Sequence, residues 1–132
     1  MIDPMTEQAY SSTNPSVITT QRYVRTMDLR NDPELIAEYR KRHSEEFHWK
    51  EIRDGIRAVG ILEMEIYILG TRLVMIIDTP IGFDLDTAMQ RLATLPRQQE
   101  WETYMSIFQD CSAEATSADK WQPMERMFHL YE

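Results

Sequence analysis

Tyr39 and His43 stand four residues apart, one turn of an α-helix, so a phenol and an imidazole project from the same helical face toward whatever that face covers. Such a pair handles protons. With an unperturbed pKa of about 6.5, imidazole both gives and takes a proton at neutral pH, and positioned acid or base catalysis contributes roughly 10²- to 10⁴-fold. A histidine that only packs and hydrogen-bonds is the other reading of the same residue types. Trp49, Trp101 and Trp121 are the remaining informative residues, because an aromatic ring stacks on the apolar face of a sugar while polar groups orient its hydroxyls. Core packing explains a tryptophan equally well.

Other chemistries lack their residues. The sequence has no Gly-rich phosphate loop, no Ser or Cys nucleophile motif and no HExxH pair, the patterns that phosphate binding, acyl transfer and zinc hydrolysis use. Cys111 is alone and His43 and His48 are five apart, so neither an internal disulfide nor a metal site is expected. Twenty-two acidic against fourteen basic residues give a net charge of -8, which repels nucleic acid and anionic membranes. The one dense basic run, Arg40 to Arg42, is followed by Glu45 and Glu46 and reads as a solvated helix face. No apolar stretch approaches the ~20 residues of a membrane span, and no apolar signal region opens the chain. The expectation is a cytoplasmic protein with neither a nucleic-acid nor a membrane partner.

The elements that position these residues follow from periodicity. Residues 1–20, rich in Ser, Thr, Asn and Pro, are expected to be disordered, leaving 21–132 as one domain. Tyr23, Met27 and Leu29 alternate with Val24, Thr26 and Asp28, a strand pattern in which Arg25 is out of place. Asp32, Pro33 and Glu34 start a helix as cap, first-turn proline and dipole-facing carboxylate, and Leu35, Ile36, Tyr39 and His43 recur along it. A second helical piece runs from Trp49 to Val59 and stops at Gly60, with Gly55 weakening it. Residues 61–69 form a strand with Leu62, Met64, Ile66 and Ile68 on one face and Glu63, Glu65 and Tyr67 on the other; a turn at Gly70 and Thr71 returns the chain through 73–77. Helices over 86–95 and 97–108, parted by Pro96, and a last strand near 124–131 complete the order strand, helix, strand, strand, helix, strand. That is the α+β, ferredoxin-like split βαβ pattern, an antiparallel sheet with helices on one face.

Across Arg22 to Leu130 the sequence resembles the L-rhamnose mutarotase family, and most closely its L-fucose mutarotase branch. The resemblance is carried by Arg22-Tyr23, Asp28-Leu29, Asp32 to Ile36, Glu38-Tyr39 and His43, then by Met64 to Tyr67, Leu69-Gly70, Arg72-Leu73, Gln99 to Glu102, Lys120-Trp121 and Met124-Glu125. It implies a homodimer of ferredoxin-like subunits (a dimeric α/β barrel), a cavity between helices and sheet, and a cofactor-free reaction on a free monosaccharide. It makes His43 the proton donor, Tyr39 a sugar contact and Trp101 the first of two sugar-holding tryptophans. The second is replaced by Glu102, and a tyrosine on the second strand by Met64; both changes agree with the fucose-type branch. A short lengthening after His43 and Lys50 in place of a proline bear on Trp49, a further substrate-binding candidate.

Interconverting anomers requires a proton on the ring oxygen and removal of one from the anomeric hydroxyl, with no hydride, metal or covalent intermediate. Glu65 and Glu102 are candidate bases. The homodimer is expected to turn Tyr67, Ile61 and Leu69 toward its partner, with Leu62, Met64 and Ile66 beneath the helices. Two other readings fit the same residues: a cofactor-free oxygenase-like dimeric α+β barrel enzyme, and a non-catalytic sugar-binding module in which His43 merely packs.

Overall fold

The structure is a computed structural model that describes residues 7–11, 19–111 and 117–131. Its elements are β1 (Tyr10–Ser11), β2 (Thr20–Asp28), α1 (Pro33–Arg42), α2 (Lys50–Ala58), β3 (Glu63–Leu69), β4 (Arg72–Pro80), α3 (Leu85–Leu92), α4 (Gln98–Met105), α5 (Ser117–Lys120) and β5 (Gln122–Pro123). β2 pairs with β4 and β4 with β3, while β1 and β5 share the other edge of β2, all antiparallel. Leaving β1 aside, the spatial order β5-β2-β4-β3 is fourth, first, third, second strand, the ferredoxin-like arrangement that the element order predicts.

Register explains which face is core. Tyr23, Ile77 and Met64 lie in one cross-strand row, Arg25, Met75 and Ile66 in the next, and Met27, Leu73 and Ile68 in the third. These side chains point toward the helices, and Tyr39, Ile52, Leu85, Leu92, Trp101 and Met105 pack into the same cluster. The period of two in the strands and the helical stripes thus bury a single core. On the opposite face Val24, Ile76, Val74 and Tyr67 form an apolar centre bounded by the Arg22–Asp78 and Arg72–Asp28 ion pairs, 2.8 and 3.2 Å.

Local chemistry sets the helix ends. Asp32 accepts from the Glu34 and Leu35 amides at 2.9 and 3.3 Å, and Asp84 does the same for Thr87 at 3.2 Å, each satisfying amides that a first helical turn leaves unpaired. Gly55 belongs inside α2 because a Cβ there would stand 3.3 Å from Leu92 Cδ1 of α3; the helices approach closely at that point. At Gly60, φ is 102° and a Cβ would come within 2.7 Å of Phe83, so α2 ends where only glycine fits.

Three expectations change. The strand placed near 124–131 is instead the two-residue β5, and Met127, Phe128 and Leu130 are exposed beyond it; Pro123 has no N–H with which to extend a ladder. β3 begins at Glu63, so the alternation does not reach back to 61–62: Ile61 is buried in the core and Leu62 is 58% exposed. Arg25 faces the core and is almost fully buried, where its guanidinium bonds Glu7 Oε1 at 2.8 and 2.5 Å. Glu7 lies within the stretch expected to be disordered, of which 7–11 reach β2 through this ion pair and the pairing of Tyr10 with Arg22. The rest of residues 1–18 lies outside the described residues. A buried guanidinium needs a counter-charge, and the N-terminal segment supplies it.

Candidate active site

α1 holds Tyr39 on its core-facing side and His43 caps its C-terminus, their rings 4.2 Å apart. His43 Nδ1 lies 2.9 Å from the Tyr39 carbonyl oxygen. A carbonyl only accepts, so Nδ1 carries the hydrogen and Nε2 is left as the acceptor of the neutral ring. Burial lowers the His43 pKa below its usual 6.5, the bond to Tyr39 works against that shift, and the Arg53 charge adds to it. The neutral imidazole is therefore the resting form. Burial also raises the Tyr39 phenol pKa far enough to keep it protonated, with the Gln109 side chain working against that shift.

These rings line a pocket of about 80 Å³ between α1, α4 and the sheet, with Met64 and Ile66 of β3 as its floor. The pocket shares His43, His48, Met64 and Ile66 with a mouth of about 320 Å³ that also borders Arg53 and Glu63. A mouth of this size lies in the range of small-molecule clefts, roughly 300–1,000 Å³. Trp101 meets both histidines in tilted, edge-to-face geometry, its ring centre 5.4 Å from that of His43 and 4.9 Å from that of His48.

The polar wall comes from α4 and the segment after it. Lys120 Nζ, completely buried, meets Glu102 Oε2 at 2.9 Å and the Glu102 carbonyl at 2.8 Å, and Gln98 Nε2 reaches the other carboxylate oxygen at 2.9 Å. Gln98 Oε1, Gln109 Oε1 and His48 Nδ1 are buried without hydrogen-bond partners among the described residues, and all three residues line the inner pocket. An unmade bond at a buried polar atom costs about 1–3 kcal/mol. Three such atoms face one small cavity.

The sequence model of the family described as L-rhamnose mutarotase matches residues 22–130. The chain belongs to the L-rhamnose mutarotase family. It is thus an isomerase, an aldose mutarotase. An L-fucose mutarotase of Xanthomonas campestris is 34% identical over 115 residues, 87% of this chain and 92% of that protein. A UPF0734 protein of Dictyostelium discoideum is 34% identical over 112 residues, 82% and 88% of the two chains. The crystal structure of an L-rhamnose mutarotase from Formosa agariphila shares the fold, with a TM-score of 0.59 at 20% identity over 83% of this chain and 97% of that one.

Of the site residues that the mutarotase resemblance implies, Tyr39, His43, Met64, Trp101 and Glu102 line the inner pocket together. Trp49 does not. It packs behind Trp101 at 5.1 Å, stacks on Tyr104 and carries the Arg97 guanidinium 3.9 Å above its ring, so it supports the platform from outside. Glu65 is also absent, because alternation in β3 turns it to the opposite face from Met64, where it accepts from the exposed Tyr67 hydroxyl at 3.1 Å. Both Glu102 oxygens are already engaged as acceptors. Neither carboxylate is poised as the base of a mutarotase.

Sequence reasoning missed His48, Gln98, Gln109 and Lys120. Gln98 and Glu102 are four apart and share the α4 stripe with Trp101 and Met105, a signal that was available. Lys120 reaches Glu102 across eighteen residues, and no local pattern announces such a contact.

Proposed function

We propose that this mutarotase interconverts the α and β anomers of a deoxyhexose, L-fucose in preference to L-rhamnose, by opening and reclosing the pyranose ring. The observation that carries this reading is a neutral imidazole with a fixed tautomer beside a cavity lined by unpaired polar atoms. His43 Nε2 takes the anomeric hydroxyl proton and, as imidazolium, returns it to the ring oxygen. Both oxygens are bonded to C1, so one nitrogen serves them with little movement, and His43 ends as the proton donor. Its bond to the Tyr39 carbonyl holds the ring still and supports the transient cation. Tyr39 orients the sugar through its hydroxyl and Trp101 gives it an apolar wall.

The sugar preference rests on Met64 and on Glu102 with Lys120 and Gln98, which offer a smooth wall and a polar clamp where the resemblance expects aromatic rings. The 34% identical L-fucose mutarotase supports the same choice. The protein works in the cytoplasm as a homodimer, without a cofactor. The apolar strip of Val24, Ile76, Val74 and Tyr67, with Leu69 85% exposed beside it, is the face turned toward the second copy. Saturation-transfer NMR across L-fucose, L-rhamnose and their common epimers tests the reading. Faster exchange of L-fucose than of L-rhamnose is expected; equal or reversed rates overturn the preference, and no acceleration of any of them overturns the activity.

A further inference from the structure

The proton path through His43 leaves a second imidazole unused. His48 belongs to neither flanking helix; the turn after α1, in which the His48 amide donates to the Ser44 carbonyl at 2.9 Å, brings it to the rim of the cavity. Its ring lies 5.8 Å from that of His43 and 4.9 Å from that of Trp101, and it lines both the mouth and the inner pocket. Nδ1 is buried and has no hydrogen-bond partner among the described residues.

Opening the ring creates a demand that His43 alone does not meet. As C1–O5 breaks, its electron pair moves onto O5, and negative charge develops there before the proton held by His43 arrives. A fixed donor aimed at that oxygen lowers the barrier, and a neutral donor does so without surrendering its own proton. We propose that His48 is this electrophile, donating a ring N–H to the ring oxygen while His43 Nε2 receives the anomeric proton. The step balances: the O1–H pair becomes the second bond of C1=O1, the C1–O5 pair goes to O5, and the O1 proton travels by way of His43 to O5. His48 keeps its hydrogen, and nothing is oxidised or reduced. Its protonation state suits the role, since burial first, then Arg53 and His43, push its pKa down to about 4. His48 itself thereby stays neutral and keeps a ring N–H.

The inference rests on the mutarotase reading above and is separable from its failure. Removing one donor to a developing oxyanion costs about 10²- to 10³-fold in kcat. His48→Phe keeps a ring against Trp101 but has no N–H, and should lower kcat for L-fucose exchange about 10²-fold with little change in KM, whereas His48→Gln, which retains a donor, should lose less. If wild type accelerates exchange and His48→Phe keeps the wild-type kcat, or the two variants are equally impaired, His48 is a packing residue and the proposal fails. If wild type accelerates no deoxyhexose, the activity fails and the proposal with it. Should either variant not fold, ¹⁵N NMR of the imidazoles in wild type decides: adding L-fucose should shift a His48 ring nitrogen, and an unmoved His48 signal overturns the assignment.

Discussion

His43 draws its chemistry from one hydrogen bond. With Nδ1–H committed to the Tyr39 carbonyl, protonation of Nε2 switches catalysis off. Its pKa is lowered from 6.5 by burial and by Arg53, so exchange should stay constant from pH 8 to below 6.5 and fall only at more acidic pH. A steady fall beginning above 6.5 would contradict this environment. Tyr39→Phe removes one hydrogen bond, worth about 0.5–1.5 kcal/mol, and should slow L-fucose exchange less than tenfold in the same NMR assay. The Tyr39–His43 pair was legible because helical spacing is local information. His48 was not, because a turn carries it to the cavity and five-residue spacing on a presumed helix argues against shared use. Glu65 shows the reverse: alternation with Met64 already places it on the far face, and only its chemistry made it a candidate base.

Among the elements, the segment leading into β1 meets β2 at a buried ion pair, and its energetics are asymmetric. Arg25 and Glu7 are 5% and 10% exposed, and removing one partner of such a pair leaves a buried charge, at a cost of about 3–5 kcal/mol. Glu7→Ala should therefore lose about that much stability in chemical denaturation, and adding Arg25→Met should restore most of it. If Glu7→Ala unfolds like wild type, the segment does not hold the sheet. Arg25 stood out in the sequence as a charge on an apolar stripe, yet its counter-ion lies eighteen residues upstream in a segment whose composition suggests disorder. Composition describes the average cost of ordering a segment and misses one charge that anchors it. The last strand failed for another reason. Met124, Met127, Phe128, Leu130 and Tyr131 have strand-like composition, but they are exposed in the single chain, so apolarity there does not mean burial within the subunit.

At the scale of the whole molecule, that exposed tail and the apolar sheet face leave surface that a small domain rarely tolerates alone. Light scattering at micromolar concentration should give twice the chain mass, and Tyr67→Asp should shift it toward monomer; a wild-type monomer would contradict the homodimer. Acid should weaken the fold for a reason set by the histidines. The pKa of His48 is about 4 folded against 6.5 as its ordinary value, so between those values the unfolded chain binds more protons, and stability present above 6.5 is lost as pH falls toward 4. His43 acts in the same direction. Thermal unfolding should therefore show Tm falling between pH 7 and 5, less steeply in His48→Gln. The fold order was readable from periodicity across the chain, whereas the cavity depends on contacts between distant segments.

The claim that joins these scales is that His43 moves a proton within a sugar-binding cavity, and saturation-transfer NMR of L-fucose anomer exchange tests it directly. Wild type should accelerate the exchange at catalytic protein concentration, and His43→Asn, folded by circular dichroism, should be slower by about 10²-fold or more, a barrier increase of roughly 2.7 kcal/mol. A folded His43→Asn variant that exchanges the anomers at the wild-type rate would contradict the account.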